Sequence, residues 1–472
     1  MRVLSVLFAA VLAVASAALA PLDVLTTKAV ATDAPLDVFV QFPVRPRAPA
    51  ARLAGLSYYA RLDLIHRELV AHASRFQGRL VATLQAEGVD ARMRWINNAL
   101  YIRNASSALV QRLAALPHVV EITADQIIAT IDAPVVRSAV EDAHLHAPVW
   151  NIELIGAPLV WANTTRGEGI VVAGIDTGVR STHVALSSAY RGTADGSDDY
   201  NWYDPREQQA TPYDPNGHGT HTMGTIVGVD VGVAPGATWI AAKGCATLSC
   251  STADLSGSFQ YLLAPTPQGQ YDNPAAGDTR KAPRVINNSW GGGQGSAQFL
   301  PFIQPHLEAG TVVVFSQGNA GSGCSTANSP GDLAAVIGVG STDQSDALSS
   351  YSSRGPGLGS AQFPLQKPDV SAPGEQIYST LPDSDTSYGI YSGTSMAGPH
   401  VAGLAALMLA VNPALVHADI ANLLAFTAFT ALPAPKGGLQ TCAGVAYTAV
   451  PNYHYGYGRI DAVNAVLFAK NA

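Results

Sequence analysis

The sequence predicts an α/β fold, a mainly parallel sheet flanked by helices, preceded by a smaller α+β unit. Three observations predict it. From about residue 165, apolar runs recur: "GIVVAGI", "ATWIAAK", "PRVINNS", "TVVVFSQ" and "AVIGVG". They are too continuous for half-buried strands and read as strands covered on both faces. Gly-rich loops and helical patterns separate them, as crossovers between parallel strands require. Earlier in the chain, strand and helix signals follow the order β-α-β-β-α-β. With 472 residues, 47% hydrophobic and 13% charged, the chain can fill a compact core in two or three domains.

The first stretch, "MRVLSVLFAAVLAVASAALAP", has one Arg, then an apolar run ending in small residues. That is the pattern of a signal peptide, expected over residues 1–20, and the run is short for a membrane span. "DVFVQFP" (37–43) reads as a strand. Leu62, Ile65, Leu69, Phe76, Leu80 and Leu84 recur at spacings of three, four or seven, which lays one apolar stripe along a helix. "ARMRWI" and "ALYIRN" flank Asn97-Asn98, a hairpin signal. Ser106 or Ser107 caps "ALVQRLAAL", and "VVEIT" supplies the last strand. This order is the ferredoxin-like arrangement, expected over residues 21–130, with residues 131–472 left to the α/β domain.

Four cysteines suit an exported chain, where an even count allows two bridges. Of three connectivities, Cys245–Cys250 around "ATLS" with Cys324–Cys442 is the expected one. A net charge of −8 gives no reason to expect nucleic acid or an anionic membrane as partner. Glycosylation sequons stand at Asn104, Asn163 and Asn287.

In open α/β sheets ligands sit beyond the carboxyl ends of the strands, so residues just after the apolar runs carry the chemistry. "VVAGIDTGV" places Asp176 there. "NGHGTHTMGTIVG" sets His218 at the start of a helix of small residues, and "SGTSMAGPH" sets Ser395 at the start of an apolar helix. A serine hydroxyl needs a base to become a nucleophile, and a carboxylate fixes the tautomer of that histidine. Taken singly, each residue has a plainer reading: Asp176 in a turn, Ser395 as a helix cap. His218 with His221 does not match the zinc-protease helix, which needs His at i and i+4 with Glu after the first. An α/β-hydrolase elbow needs Gly two residues after the serine, where Ala397 stands, and runs Ser, Asp, His along the chain.

"GIDTGV", "NGHGTHTMGT" and "GTSMAGPHVAG", in that order, resemble the three signatures of the subtilisin-like (subtilase, S8-type) serine peptidases. "WIAAKG", "VINNSWGG", "VVFSQGNAG", "YSSRGP" and "KPDVSAPG" extend the resemblance over roughly residues 150–470, in wording closest to the bacillopeptidase F-like branch. The resemblance implies a subtilisin-like fold, with Asp176 as orienting carboxylate, His218 as general base then acid, and Ser395 as nucleophile. It implies Asn319 as oxyanion donor beside the Ser395 backbone N–H. Ser289, Trp290 and Gly291 would lie along an extended substrate, and Phe315, Ser316, Gln317 and Gly318 would form the opposite wall. The sequon at Asn287 falls in that cleft and is expected to stay bare.

The N-terminal unit resembles the family's inhibitor propeptide, which assists folding, occupies the cleft through its tail and is cut away. That tail lies within "ADQIIATIDAPVVRSAVED". The expectation is a secreted, self-processed serine endopeptidase that hydrolyses proteins or peptides through an acyl-enzyme, a monomer needing no cofactor, with no membrane association after signal removal. The alternatives are a catalytically silent peptide-binding relative and a hydrolase of non-peptide esters. "GTIVGVDVGVAPGA" is short where many relatives carry a calcium loop. No metal ligand is assigned, structural calcium is left without a site, and the acidic stretches near Asp195 and Asp272 read as solvated loops.

Overall fold

The computed structural model describes residues 19–130, 139–140, 149–360 and 363–472. The predicted signal segment and most of the predicted tail beyond Thr130 lie outside the described residues. The chain forms two compact units: one comprises the residues up to Pro43 with Phe76–Met93 and Ala99–Asp125, the other Val44–Arg75, Arg94–Asn98 and Gln126–Ala472. Residues 44–75, 94–98 and 126–130 thus group with the larger unit, a division that crosses the boundary expected at residue 130.

From the N-terminal side, α1 (Val24–Ala31) precedes β1 (Leu36–Gln41), and the helix α2 (Tyr58–Ala86), of which only the part from Phe76 belongs to the smaller unit, leads to β2 (Ala91–Arg94), β3 (Ala99–Ala105), α3 (Ser107–Ala114) and β4 (Glu121–Ala124). The sheet order is β2-β3-β1-β4, with β1 antiparallel to both β3 and β4. Asn98 turns between β2 and β3 at φ 53°, a left-handed conformation that a short polar side chain tolerates. Ser106 caps α3, its Oγ accepting from the Leu109 N–H at 3.3 Å. Val38, Val40, Leu100, Ile102 and Ile122 from the sheet meet Leu84, Leu109 and Leu113 from the helices in one core, with Phe76 and Leu80 packed against it.

The larger unit is built on a seven-stranded, wholly parallel sheet. Its strands are β6 (Val171–Ile175), β7 (Trp202–Tyr203), β8 (Thr238–Ala242), β10 (Val285–Asn288), β11 (Val312–Ser316), β12 (Ile337–Thr342) and β13 (Val370–Pro373). Two short strands, β5 (Ile127–Thr130) and β9 (Ser249–Ser251), pair outside this sheet. The order is β13-β12-β11-β10-β6-β8-β7. All five predicted runs are strands of this sheet; β7 and β13 are the additions.

After β6 the chain goes out to the edge strand β7, returns to β8 beside β6, then crosses to β10 and continues the other way. The switch point therefore lies between β6 and β10, where an open α/β sheet offers a crevice. The register pairs Ile175 with Asn288, so Asp176 and Ser289 are the next residues beyond the two strand ends. Of the helices α4 (His218–Val227), α5 (Thr252–Leu263), α6 (Leu300–Ala309) and α7 (Thr394–Val411), α4 and α7 pack against each other, and α7 also lies on β10, β11, β12 and β13. Every residue from Thr394 to Leu409 is buried, which explains why α7 is apolar on all sides. Both disulfides form as expected, Cys245–Cys250 and Cys324–Cys442.

Candidate active site

Asp176 leaves the end of β6 and is 2% exposed. A buried carboxylate needs donors, and it has three. Its Oδ1 accepts from His218 Nδ1 at 2.8 Å and from the Thr177 N–H at 2.7 Å, and its Oδ2 accepts from Thr222 Oγ1 at 3.2 Å. A carboxylate only accepts, so His218 Nδ1 carries a proton, and in the neutral ring Nε2 presents the lone pair. That Nε2 is buried and makes no hydrogen bond.

The close approach of α4 to Asp176 depends on Gly219. A Cβ there would collide with Gly178 O and stand 3.1 Å from the Asp176 Cβ. Asp214, which the sequence did not single out, fastens the turn before α4. Its Oδ1 accepts from Thr177 Oγ1, Asn216 N and Gly217 N at 2.8, 3.0 and 2.9 Å. Its Oδ2 accepts from Thr220 N and Thr220 Oγ1 at 2.8 and 2.7 Å. Thr177 Oγ1 accepts in turn from the Gly219 N–H at 2.9 Å. Asp214 thereby joins the residue after Asp176 to the first turn bearing His218. The signal that could have found it is local: an Asp four residues before a helix start is a turn and cap residue.

His221 is not a metal partner of His218. Its Nε2 meets the Ile377 carbonyl at 3.0 Å, and its ring stacks on Tyr391 at 4.5 Å. Burial pushes its pKa down to about 3, so it is a neutral core residue. Among the described residues no group of three or more His, Cys, Asp or Glu is arranged to hold a metal. The carboxylates near Asp195 are engaged by protein donors instead: Asp198 by Tyr190 Oη at 2.6 Å, Asp199 by the Gln268 N–H at 2.8 Å.

Ser395 is the second residue of α7 and 3% exposed. The cap reading is corrected: the N-cap is Gly393, which has no side chain to cap with. Ser395 Oγ donates to the Ser289 carbonyl at 3.2 Å, and Ser289 Oγ donates to the Ser395 carbonyl at 2.9 Å. Asn287 Nδ2 donates to Ser289 Oγ at 3.0 Å. Asn287 is 1% exposed, which closes that sequon to a glycan. The N–H groups of the first turn of α7 lack intrahelical acceptors and carry the positive end of the helix dipole.

Asn319 Oδ1 accepts from the Thr394 N–H and from Thr394 Oγ1, both at 2.9 Å. With its oxygen held toward Thr394, the amide turns its nitrogen the other way. A Cβ built on Gly393 would stand 3.5 Å from Asn319 Nδ2 and 3.6 Å from Ser395 N. Both nitrogens therefore lie near one spot, which a glycine at 393 leaves without a side chain.

The segments expected to line a substrate differ in what they expose. Gly291 forms an antiparallel bridge with Thr130, through Thr130 N to Gly291 O at 3.0 Å and Gly291 N to Thr130 O at 3.3 Å. Strand β5 pairs antiparallel with β9 as well. The extended chain 127–130 thus runs between β9 and Gly291. The Trp290 and Phe315 rings are buried, with centroids 5.1 Å apart in an aromatic core, which leaves the backbone as the part of these residues that can meet an extended chain. Trp290 Nε1 donates to the Ile175 carbonyl at 3.0 Å. Ser289, Ser316 and Gln317 are buried as well. Asn328, which sequence reasoning missed, connects the two predicted walls: a Cβ on Gly291 would stand 3.3 Å from its Cβ, and one on Gly318 would stand 2.9 Å from its Cγ.

The Subtilase family model matches residues 167–458. The chain is 36% identical over 337 residues to Bacillopeptidase F of Bacillus subtilis (strain 168), covering 67% of this chain and 22% of that protein. It is 34% identical over 290 residues to Subtilisin E of the same organism, covering 59% of this chain and 65% of that protein. It is 34% identical over 286 residues to Subtilisin DY of Bacillus licheniformis, covering 59% of this chain and 90% of that protein. The chain therefore spans about a fifth of Bacillopeptidase F and just under two thirds of Subtilisin E. With the family match over more than half its length and its three signatures at the ends of β6, α4 and α7, the chain belongs to the subtilase family.

Proposed function

We propose that the protein is a serine endopeptidase acting through Asp176, His218 and Ser395. The observation that carries this reading is the 2.8 Å bond from His218 Nδ1 to Asp176, which leaves a buried, unbonded Nε2 as base. Ser395 Oγ turns from the Ser289 carbonyl toward Nε2, gives up its proton and attacks the substrate carbonyl. The oxyanion that forms is met by the Ser395 N–H and Asn319 Nδ2, the two groups converging beside Gly393. His218 then protonates the leaving amine, and water hydrolyses the acyl-enzyme by the same relay.

Substrate binds as an extended strand between β9 and Gly291, by addition to a sheet edge. The place that β5 takes there supports this reading, and it supports a self-inhibited precursor as well. In that precursor residues 21–130 act as leader and intramolecular inhibitor, and residues 131–472 as the peptidase. Residues 1–20 direct export, and the mature enzyme is an extracellular monomer acting on proteins or peptides without a cofactor.

Fluorophosphonate labelling of the protein, with N-terminal sequencing of its mature form, tests this. The wild type is expected to take the label and lose casein hydrolysis together, and Ser395→Ala to retain its leader. Casein hydrolysis without labelling excludes the serine mechanism. Labelling and ester turnover without casein hydrolysis assign a non-peptide esterase instead.

A further inference from the structure

The loop between β8 and β9 is fixed far more firmly than a surface connection requires. Lys243, 4% exposed, lies beneath it and donates from Nζ to the Cys245 and Ala246 carbonyls, both at 2.9 Å. The Cys245–Cys250 disulfide closes the loop, and both cysteines are buried. Inside the ring, the Ala246 N–H donates to the Ser249 carbonyl at 2.9 Å. At its root, the Cys245 N–H donates to the Asp176 carbonyl at 3.1 Å. At its far end, Ser251 caps α5 (Thr252–Leu263), its Oγ accepting from the Asp254 N–H at 3.1 Å.

This loop delivers the edge strand β9, and Cys250 itself is in register with Ala129 of the extended chain beside it. A strand of three residues at a sheet edge has little of its own to hold it straight. Ordering it on binding would cost affinity for each residue fixed. Lys243 and the disulfide meet that cost in the free protein.

We propose that Lys243 and the Cys245–Cys250 disulfide are positioning residues that pre-shape β9 for extended peptide substrates. The inference rests on the endopeptidase reading and adds to it a length requirement. Residues of the substrate that reach β9 gain from the clamp, and the reacting bond does not. Because the clamp acts on ground-state binding of the extended chain, its loss raises KM for long substrates. The turnover of a minimal substrate that never reaches β9 is left alone.

The experiment compares a peptide amide carrying four residues before the scissile bond with a single-residue acyl ester. Wild type, Cys245→Ser/Cys250→Ser and Lys243→Met are measured on both. Fluorophosphonate titration counts competent sites, so loss of fold appears as loss of sites and not as a change in KM. In wild type, fluorophosphonate-sensitive turnover of both substrates checks the endopeptidase reading separately, and its absence overturns that reading and this inference with it. The expected result is a fall of about tenfold in the ratio of kcat/KM, peptide over ester, carried by KM, the factor for one residue left unordered. Lys243→Met keeps both cysteines, so it decides the matter if the double variant yields no competent sites. A ratio unchanged in Lys243→Met, or a parallel loss on both substrates, overturns the proposal.

Discussion

Asn319 is held through its oxygen. Thr394 supplies two donors to Oδ1, and the amide nitrogen stands 3.5 Å from where a Gly393 Cβ would lie. A donor aligned on developing charge contributes to the transition state and little to the ground state. Asn319→Ala is expected to lower kcat about 10²–10³-fold with KM nearly unchanged, as steady-state kinetics on a peptide substrate will show. A loss confined to KM would place Asn319 in substrate binding instead. Asp214 makes a second case at this scale. Asp214→Asn replaces one accepting oxygen with an N–H donor facing other donors, so it is expected to destabilise the fold by about 2 kcal/mol or more. Urea unfolding on a Ser395→Ala background checks this, and an unshifted midpoint contradicts it. Asp176, His218 and Ser395 were legible as candidates because each sits in a string of turn and helix-start residues. Asp214 carries a local turn signal, but its tie to Thr177, and the place of Asn328 beside Gly291 and Gly318, are contacts distant in sequence and were not legible.

Among elements, legibility followed how much of the pattern lies within the element itself. Runs such as "TVVVFSQ" are buried on both faces and announce themselves; α7 does so by being apolar all round. The two-residue β7 and the "VSAP" strand β13 carry no period and are strands only because neighbours pair with them. Strands β5 and β9 are legible only together, since Ser249 pairs with Thr130 across the chain. The burial of the Trp290 and Phe315 rings was not legible for a related reason: their motifs do not say which way a side chain turns, and both rings pack into the core. The Cys324–Cys442 bridge ties segments 118 residues apart. A cross-link that long restricts the unfolded chain strongly, so Cys324→Ser/Cys442→Ser is expected to cost about 2–5 kcal/mol. Thermal melts of the Ser395→Ala protein with and without the bridge measure it, and coincident melts would show the bridge to be neutral.

For the whole molecule, the distribution of buried histidines sets the response to acid. His221, His306 and His400 are buried and His417 is half-buried, in different parts of the larger unit, and all four are neutral at pH 7. Burial is the first cause in each, pushing His221 down to about 3 and the other three down to about 4, with Lys367 adding to the effect at His417. Their hydrogen bonds suit the neutral ring: His400 bridges the Met396 carbonyl and Asn151 Nδ2, and His306 Nε2 meets the Phe259 carbonyl at 2.8 Å. In the unfolded chain each returns to about 6.5. Between the folded and unfolded values the unfolded state binds more protons, so stability rises with pH. The contribution is whole above about pH 6.5 and is lost as pH falls toward 4, at up to about 1.4 kcal/mol per pH unit for each histidine. Urea midpoints of the Ser395→Ala protein, where autolysis is removed, are therefore expected to fall steeply from pH 6.5 to 4. His306→Gln keeps a donor for the Phe259 carbonyl and cannot titrate, so it is expected to flatten that slope by up to about 1.4 kcal/mol per pH unit. If His306→Gln follows the same slope as its parent, the acid response arises from carboxylates and not from these rings.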